Sequence, residues 1–169
     1  MTNQKNLSEE LTGIYNYEMC KGCGGLCCQK MAGIYSPEQF GQKLTAEFIH
    51  SLLLGGFHSI DWWDGDVVLG GGLSHVYYIR PRHVDGSAID DYWRGTCINW
   101  NKEIGCTLTE ETRPFQCKML IPDLSNGCKY NPDHEADKES MALRWREYQH
   151  ILIKAIALYR ETEIPNEEY

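Results

Sequence analysis

The sequence predicts a small mixed α+β domain: a loop-rich cysteine core, a short antiparallel sheet and a long C-terminal helix. Three observations carry that reading. The eight cysteines of the 169-residue chain fall into two groups, 20–28 and 97–128, among glycines and turn residues. The cysteine-free segment between them, 29–96, holds short runs rich in β-branched and aromatic residues. The segment after the second group repeats apolar residues at helical spacing. The length suits one core, and no repeat or low-complexity tract divides the chain. Residues 1–169 therefore read as one domain, with an insertion at about 29–96.

Each element has its own signal. The stretch "MCKGCGGLCC", residues 19–28, spells C-x2-C-x3-C-C through Cys20, Cys23, Cys27 and Cys28. Gly22, Gly24 and Gly25 permit the positive φ angles of a tight thiol-presenting turn. Cys27 and Cys28 point in different directions in most backbone geometries. One is expected to join a first site, and the other to serve a second site, a resolving role or the core. Downstream, Ser36 can cap a helix, Pro37 suits its first position and Gln39 completes a capping box. Phe40, Leu44, Phe48 and Leu52 then form one apolar face, ended by Gly55-Gly56. "HSIDWW" and "VVLG" flank Asp64-Gly65, which reads as a hairpin turn. "HVYYIRP" reads as a further strand. In the tail, Asn131 can cap and Pro132 can start a helix over about 132–161, with Asp133, Glu135 and Asp137 near its positive end. Met141, Trp145, Tyr148, Leu152, Ile156 and Tyr159 are its core-facing stripe.

Composition narrows the function. Lys and Arg number 16 against 24 Asp and Glu, a net charge of -8, which argues against broad nucleic-acid binding. No run approaches the length of a membrane span. The polar start "MTNQKNLSEELTG" lacks the apolar region of a secretory signal, so the expected location is the cytoplasm. In an exported protein eight cysteines would suggest four disulfides. In a reducing compartment clustered thiols more often bind metal.

The second group supports that. Cys97, Cys106, Cys117 and Cys128 are single, separated by eight to ten residues, with no second C-x2-C of the kind that paired zinc ribbons show. Scattered thiols closing onto one glycine-rich loop suit an iron–sulfur cluster at least as well as zinc. All-thiolate zinc sites use the same ligands, and the balance leans slightly to iron–sulfur. The loop-rich core is then metal-organised. Arg113-Pro114 precedes Cys117: the proline shapes the turn, and the arginine either offsets a negative polythiolate site or pairs with Glu110 or Glu111. Both are candidate cofactor-binding residues.

Other chemistry is weaker. His58, Asp61, Asp64, Asp66, His75, His83, Asp85, Asp90 and Asp91 are types that hard-metal or acid–base sites use. Turn and capping roles for Asp64, Asp66, Asp90 and Asp91 are the simpler reading. No phosphate loop, dinucleotide fingerprint or hydrolase elbow is present. Trp62, Trp63, Tyr77, Tyr78, Tyr92, Trp93 and Trp100 make the middle of the chain aromatic. About half are expected in a sheet core, the rest on a pocket or a protein-partner surface.

Cys20-x2-Cys23-x3-Cys27-Cys28, followed by Cys97, Gly105-Cys106 and Arg113-Pro114-x2-Cys117, resembles the CxxCxxCC family, the YkgJ-like cysteine-cluster proteins, described as zinc- or iron-chelating. Flagellin lysine N-methylases carry a similar pattern. Three residues rather than two precede the double cysteine here. The resemblance implies metal ligation by Cys20, Cys23, Cys27, Cys28, Cys97, Cys106 and Cys117. Cys128 lies outside the pattern and joins the candidates by count and proximity. The expected function is a cytoplasmic metalloprotein holding an iron–sulfur cluster or zinc. The alternatives are a metal-dependent redox or group-transfer enzyme, or a structural zinc module that binds a protein partner.

Overall fold

A computed structural model of the chain describes residues 22–65, 72, 74–90, 94–121, 128–130 and 135–163. It is α+β. The long ladder is antiparallel and joins β1 (His58–Trp63) to β2 (Val76–Pro81). Two short antiparallel ladders follow: β3 (Trp100–Asn101) with β4 (Gly105–Cys106), and β5 (Leu120–Ile121) with β6 (Lys129–Tyr130). The α-helices are α1 (Ala46–Leu54), α2 (Phe115–Lys118), α3 (Lys138–Leu143) and α4 (Gln149–Glu163). Among the described residues no helix is long and apolar enough to cross a membrane.

The first helix is shorter than expected. Residues 37–39 and 41–43 form two 3-10 turns, and α1 begins only after Thr45, whose side chain accepts from the Phe48 N–H at 3.2 Å. The reason is local. Gly41 takes φ +53°, which the right-handed helix cannot accommodate, and Thr45 offers a better cap. Gln39 still accepts from the Ser36 N–H, at 3.1 Å.

The sheet also differs in pairing. β1 pairs with β2 in all six of its positions, from His58 with Pro81 to Trp63 with Val76. The expected hairpin at Asp64-Gly65 would pair β1 with "VVLG", which falls within residues 66–71, outside the described part. The Trp63 ring lies over Gly65, where a Cβ would sit 1.8 Å from it. Asp64 instead meets His75 across the strand ends.

Both edges of this ladder are covered, which removes the exposed amides that invite aggregation. Beside β1, the Ile60 N–H donates to Ala88 O at 2.8 Å and the Asp90 N–H to Ile60 O at 3.0 Å. Beside β2, the Tyr35 N–H donates to Ile79 O at 2.9 Å. The Gln149 amide completes the edge as a strand would: its Oε1 accepts from the Tyr77 N–H and its Nε2 donates to Tyr77 O, each at 2.8 Å.

The predicted tail helix is two helices. Residues 131–134, which include Asn131 and Pro132, lie outside the described part. The cap is Asp137, whose Oδ1 accepts from the Ser140 N–H at 3.0 Å. α3 ends at Leu143, a 3-10 turn spans Arg146–Tyr148, and α4 resumes. The apolar stripe is nonetheless as expected: Met141, Trp145 and Leu152 are fully buried and Ile156 nearly so. They pack with Ile34, Ile49, Leu53, Ile60, Tyr78 and Ile79 in the main core. Segment 29–96 thus supplies α1, β1 and β2, and with them much of that core. Of its aromatics, Tyr78 is buried and Trp62, Trp63 and Tyr77 are half-buried; Tyr92 and Trp93 lie outside the described residues.

Two acidic residues of the insertion share one structural partner. Arg80 and Asp61 are fully buried and paired at 3.0 Å, and Arg80 reaches Asp90 at 3.3 Å. Asp66 and Asp91 are outside the described residues.

Candidate functional site

A second, smaller core lies apart from the first. It gathers Cys28, Ala32 and Cys97, with Cys27, Cys106 and Trp100 packed against it. It forms because loop 24–33 docks on loop 95–106. The Cys97 N–H donates to Cys28 O at 2.7 Å and the Gly95 N–H to Lys30 O at 3.0 Å. Trp100 Nε1 donates to Gly24 O at 2.9 Å, and the indole covers Gly25 so closely that a Cβ there would lie 2.8 Å from it. Gly24 and Gly25 take φ +66° and +75°, the positive angles the motif led one to expect. Cys27 and Cys28 then sit in a turn in which Cys27 O accepts from the N–H groups of Lys30 and Met31, each at 3.0 Å.

Cys117 arrives from α2. Pro114 caps that helix and its carbonyl accepts from the Cys117 N–H at 3.0 Å. Gln39, read from the sequence only as a helix-start residue, holds this turn: it accepts from the Phe115 N–H at 2.7 Å and donates to Arg113 O at 2.8 Å. Gln116 is buried and spans the space behind. It accepts from the Ile34 N–H at 2.9 Å and donates to Ala136 O at 2.8 Å. The Cys117 sulfur rests on Gly33, where a Cβ would stand 2.4 Å from it. Gly33 and Gln116 were not singled out in the sequence. Neither belongs to a motif, and only the docked fold brings them to the thiols.

Cys27, Cys28, Cys97, Cys106 and Cys117 line one cavity of about 30 Å³, with Gln116 as its other polar side chain and apolar residues and Pro114 around them. Cys128, outside the family pattern, joins them by a hydrogen bond between its thiol and that of Cys27. Cys23 is half-buried and is not among the lining residues; Cys20 lies outside the described part. The seven described cysteines are free thiols. Adjacent Cys27 and Cys28 both face the cavity, so the double cysteine divides its contacts rather than its location.

The thiols set one another's ionisation. Hydrogen bonds from Cys128 and then Cys28 pull the Cys27 thiol down to about 3. Cys28 is pushed up by its hydrogen bonds to Cys106 and Cys27, and Cys106 falls because Cys28 donates to it. Burial raises Cys97 to about 11 and raises Cys117 further, and neighbouring thiolates add to the rise for both. Arg113 works the other way on Cys117. It is buried, donates from Nε to Leu108 O at 3.2 Å, and its charge lowers the Cys117 thiol. Of its two sequence readings, charge compensation near the thiols has this support.

Cys27 and Cys106 are thus shifted toward the thiolate, and Cys28, Cys97 and Cys117 toward the thiol. Additional thiolates need a nearby cation, which is the chemistry of a soft-metal site. The donor set fits a thiolate-ligated metal: five sulfurs on one cavity, a sixth beside them, no carboxylate among the lining residues and glycine where a side chain would obstruct. Among the described residues no three His, Cys, Asp or Glu groups already converge at ligand spacing. Cys128, Cys27, Cys28 and Cys106 instead form a hydrogen-bonded chain of thiols. Scanned against family models, curated proteins and solved structures, the chain gives no match.

Proposed function

We propose that this protein is a cysteine-cluster metalloprotein, with an iron–sulfur cluster as the first reading and zinc as the second. One observation carries the proposal: cysteines from four separate stretches of chain, 27–28, 97, 106 and 117, line a single small cavity. Cys27, Cys28, Cys97, Cys106 and Cys117 would be the ligands, with Cys128 as a further donor. Trp100 and the apolar lining would keep water out, and Arg113 would offset part of the site's negative charge. The bound group would tie four chain segments together, and its binding energy would add to folding.

The test is purification without oxygen, followed by metal and sulfide analysis beside the visible spectrum. Iron with acid-labile sulfide and broad brown absorption supports the cluster. Stoichiometric zinc without colour supports the second reading. A folded chain with all thiols titratable and no tightly held metal, even after reconstitution with iron and sulfide or with zinc, would sink both. Cys28→Ser and Cys117→Ser are expected to lose the metal.

A further inference from the structure

The metal reading uses the sulfurs as ligands; their contacts with one another carry a second chemistry. Cys128, Cys27, Cys28 and Cys106 stand in a row, each hydrogen-bonded to the next. They come from three parts of the sequence, and the fold brings each to its place. Cys106 lies on β4, opposite Trp100, whose indole holds the 24–25 turn that leads into Cys27 and Cys28. Cys128 directly precedes β6. The ladder of β6 with β5 returns it to the cavity, where Leu120 of β5 is a lining residue. Cys128 itself does not line the cavity; it stands beside it, on Cys27. Cys97 and Cys117 have other neighbours: Cys97 is hydrogen-bonded to Asn99, and Cys117 rests on Gly33.

The described cysteines are all free thiols, and the row of contacts narrows how they can pair on oxidation. Four thiols in a row close two bonds only as the outer pairs, Cys27 with Cys128 and Cys28 with Cys106. Backbone geometry disfavours the middle pair. A trans peptide joins Cys27 to Cys28 and sets their Cα atoms about 3.8 Å apart. Disulfides usually need about 4.4–6.8 Å. A Cys27–Cys28 bond would also leave both end thiols without a partner in the row. Each outer pair has a member that a small oxidant can reach: Cys27, Cys106 and Cys128 are half-buried, and Cys28 is buried. In each pair a half-buried sulfur accepts its partner's hydrogen bond, Cys27 from Cys128 and Cys106 from Cys28.

We propose that Cys27–Cys128 and Cys28–Cys106 are two reversible disulfide pairs, closed by hydrogen peroxide and reopened by a dithiol. The accepting sulfur, Cys27 or Cys106, attacks one peroxide oxygen. An S–O bond forms, the O–O bond breaks, and the other oxygen leaves as water with the thiol's proton. The sulfur is oxidised by two electrons to a sulfenic acid, and the peroxide is reduced. The donor, Cys128 or Cys28, then attacks that sulfur. The S–S bond forms, the S–O bond breaks, and the hydroxyl leaves as a second water with the donor's proton. Each pair thus consumes one peroxide and releases two waters. A dithiol reopens the bond by thiol–disulfide exchange and is itself oxidised to a disulfide. The proposal rests on the thiol contacts and does not require the metal reading.

The test uses the full chain, reduced, stripped of metal with a chelator and oxidised with hydrogen peroxide added in steps. Free thiols are alkylated and cross-links are mapped by mass spectrometry of unreduced peptides. Cys27–Cys128 and Cys28–Cys106 are expected within single chains, in near-stoichiometric yield, with Cys97 and Cys117 still open to alkylation. Dithiothreitol is expected to restore all four thiols. Cys128→Ser is expected to lose the first cross-link, to keep the second, and to let Cys27 pass on to the sulfinic acid that dithiothreitol does not reverse. Absence of either cross-link, a Cys27–Cys28 bond, cross-links only between chains, or sulfinic acid at Cys27 of the parent chain would overturn the proposal. The parent chain's map decides it whether or not the variant folds. Metal uptake by the same reduced chain is measured separately. A chain that gives this map but takes up no metal fails the metal reading alone, and metal uptake with a different map fails this one alone.

Discussion

Gly33 shows how much of the site depends on single atoms. A Cβ at this position would stand 2.4 Å from the Cys117 sulfur and 3.3 Å from its backbone nitrogen. Gly33→Ala must therefore displace Cys117 from the cavity. We expect that variant to fold and to lose bound metal, measured as metal per chain beside a thermal melt. Unchanged metal content would mean that Cys117 is not a ligand. His58 makes a different prediction. Its folded-state pKa is lowered, first by burial and then by Arg82. The unfolded chain therefore binds the proton more readily, and folding is penalised as pH falls through the ordinary histidine range near 6.5. His58→Gln should flatten stability against pH between about 7 and 5 in urea titrations, relative to the parent chain. Equal slopes would contradict it.

At the scale of elements, two side chains join parts that backbone bonding leaves separate. Gln116 ties the strand-like segment at Ile34 to the start of α3 at Ala136, from a position 1% exposed. Gln116→Ala strands a buried N–H and a buried C=O, at a cost of about 1–3 kcal/mol for each. Urea unfolding measures that cost, and a loss below about 0.5 kcal/mol would show that water replaces the amide. Asp137 caps α3 through the Ser140 N–H and receives the Ser140 hydroxyl at 2.7 Å. Asp137→Ala should cost about 1 kcal/mol in the same measurement. These joints were partly legible. Gln39 was recognisable as a helix-start residue from its distance to Ser36, but its hold on Phe115 was not, because 76 residues separate the partners. The tail's apolar period was legible, whereas its division into α3 and α4 was not. Both helices present the same face, so the period continues across the break.

At the scale of the whole molecule, two cores sit side by side, one apolar and one lined with thiols. The apolar core contains a buried ion pair, Arg80 with Asp61, both fully inaccessible to solvent. Arg80→Met leaves Asp61 buried without its partner and is expected to cost about 3–5 kcal/mol. Adding Asp61→Leu should recover part of that loss, because the fully buried carboxylate no longer has to leave water, while Asp90 still lacks Arg80; a double-mutant cycle by urea unfolding tests it, and additive losses would contradict it. The thiol core has little apolar mass of its own and lies against the first through Gly33, Ile34 and Gln116. By itself the sequence determined the α+β class, the glycine-shaped thiol turn and the apolar face of the tail. Those are local properties, set by periodicity and by the φ freedom of glycine. Tertiary structure alone decided that β1 pairs with β2, that Cys128 meets Cys27, that Gly33 makes room for Cys117, and that a cleft opens beside the thiols. Each of these joins residues far apart in the chain. Such contacts follow from how whole faces bury one another, which no short stretch of sequence specifies.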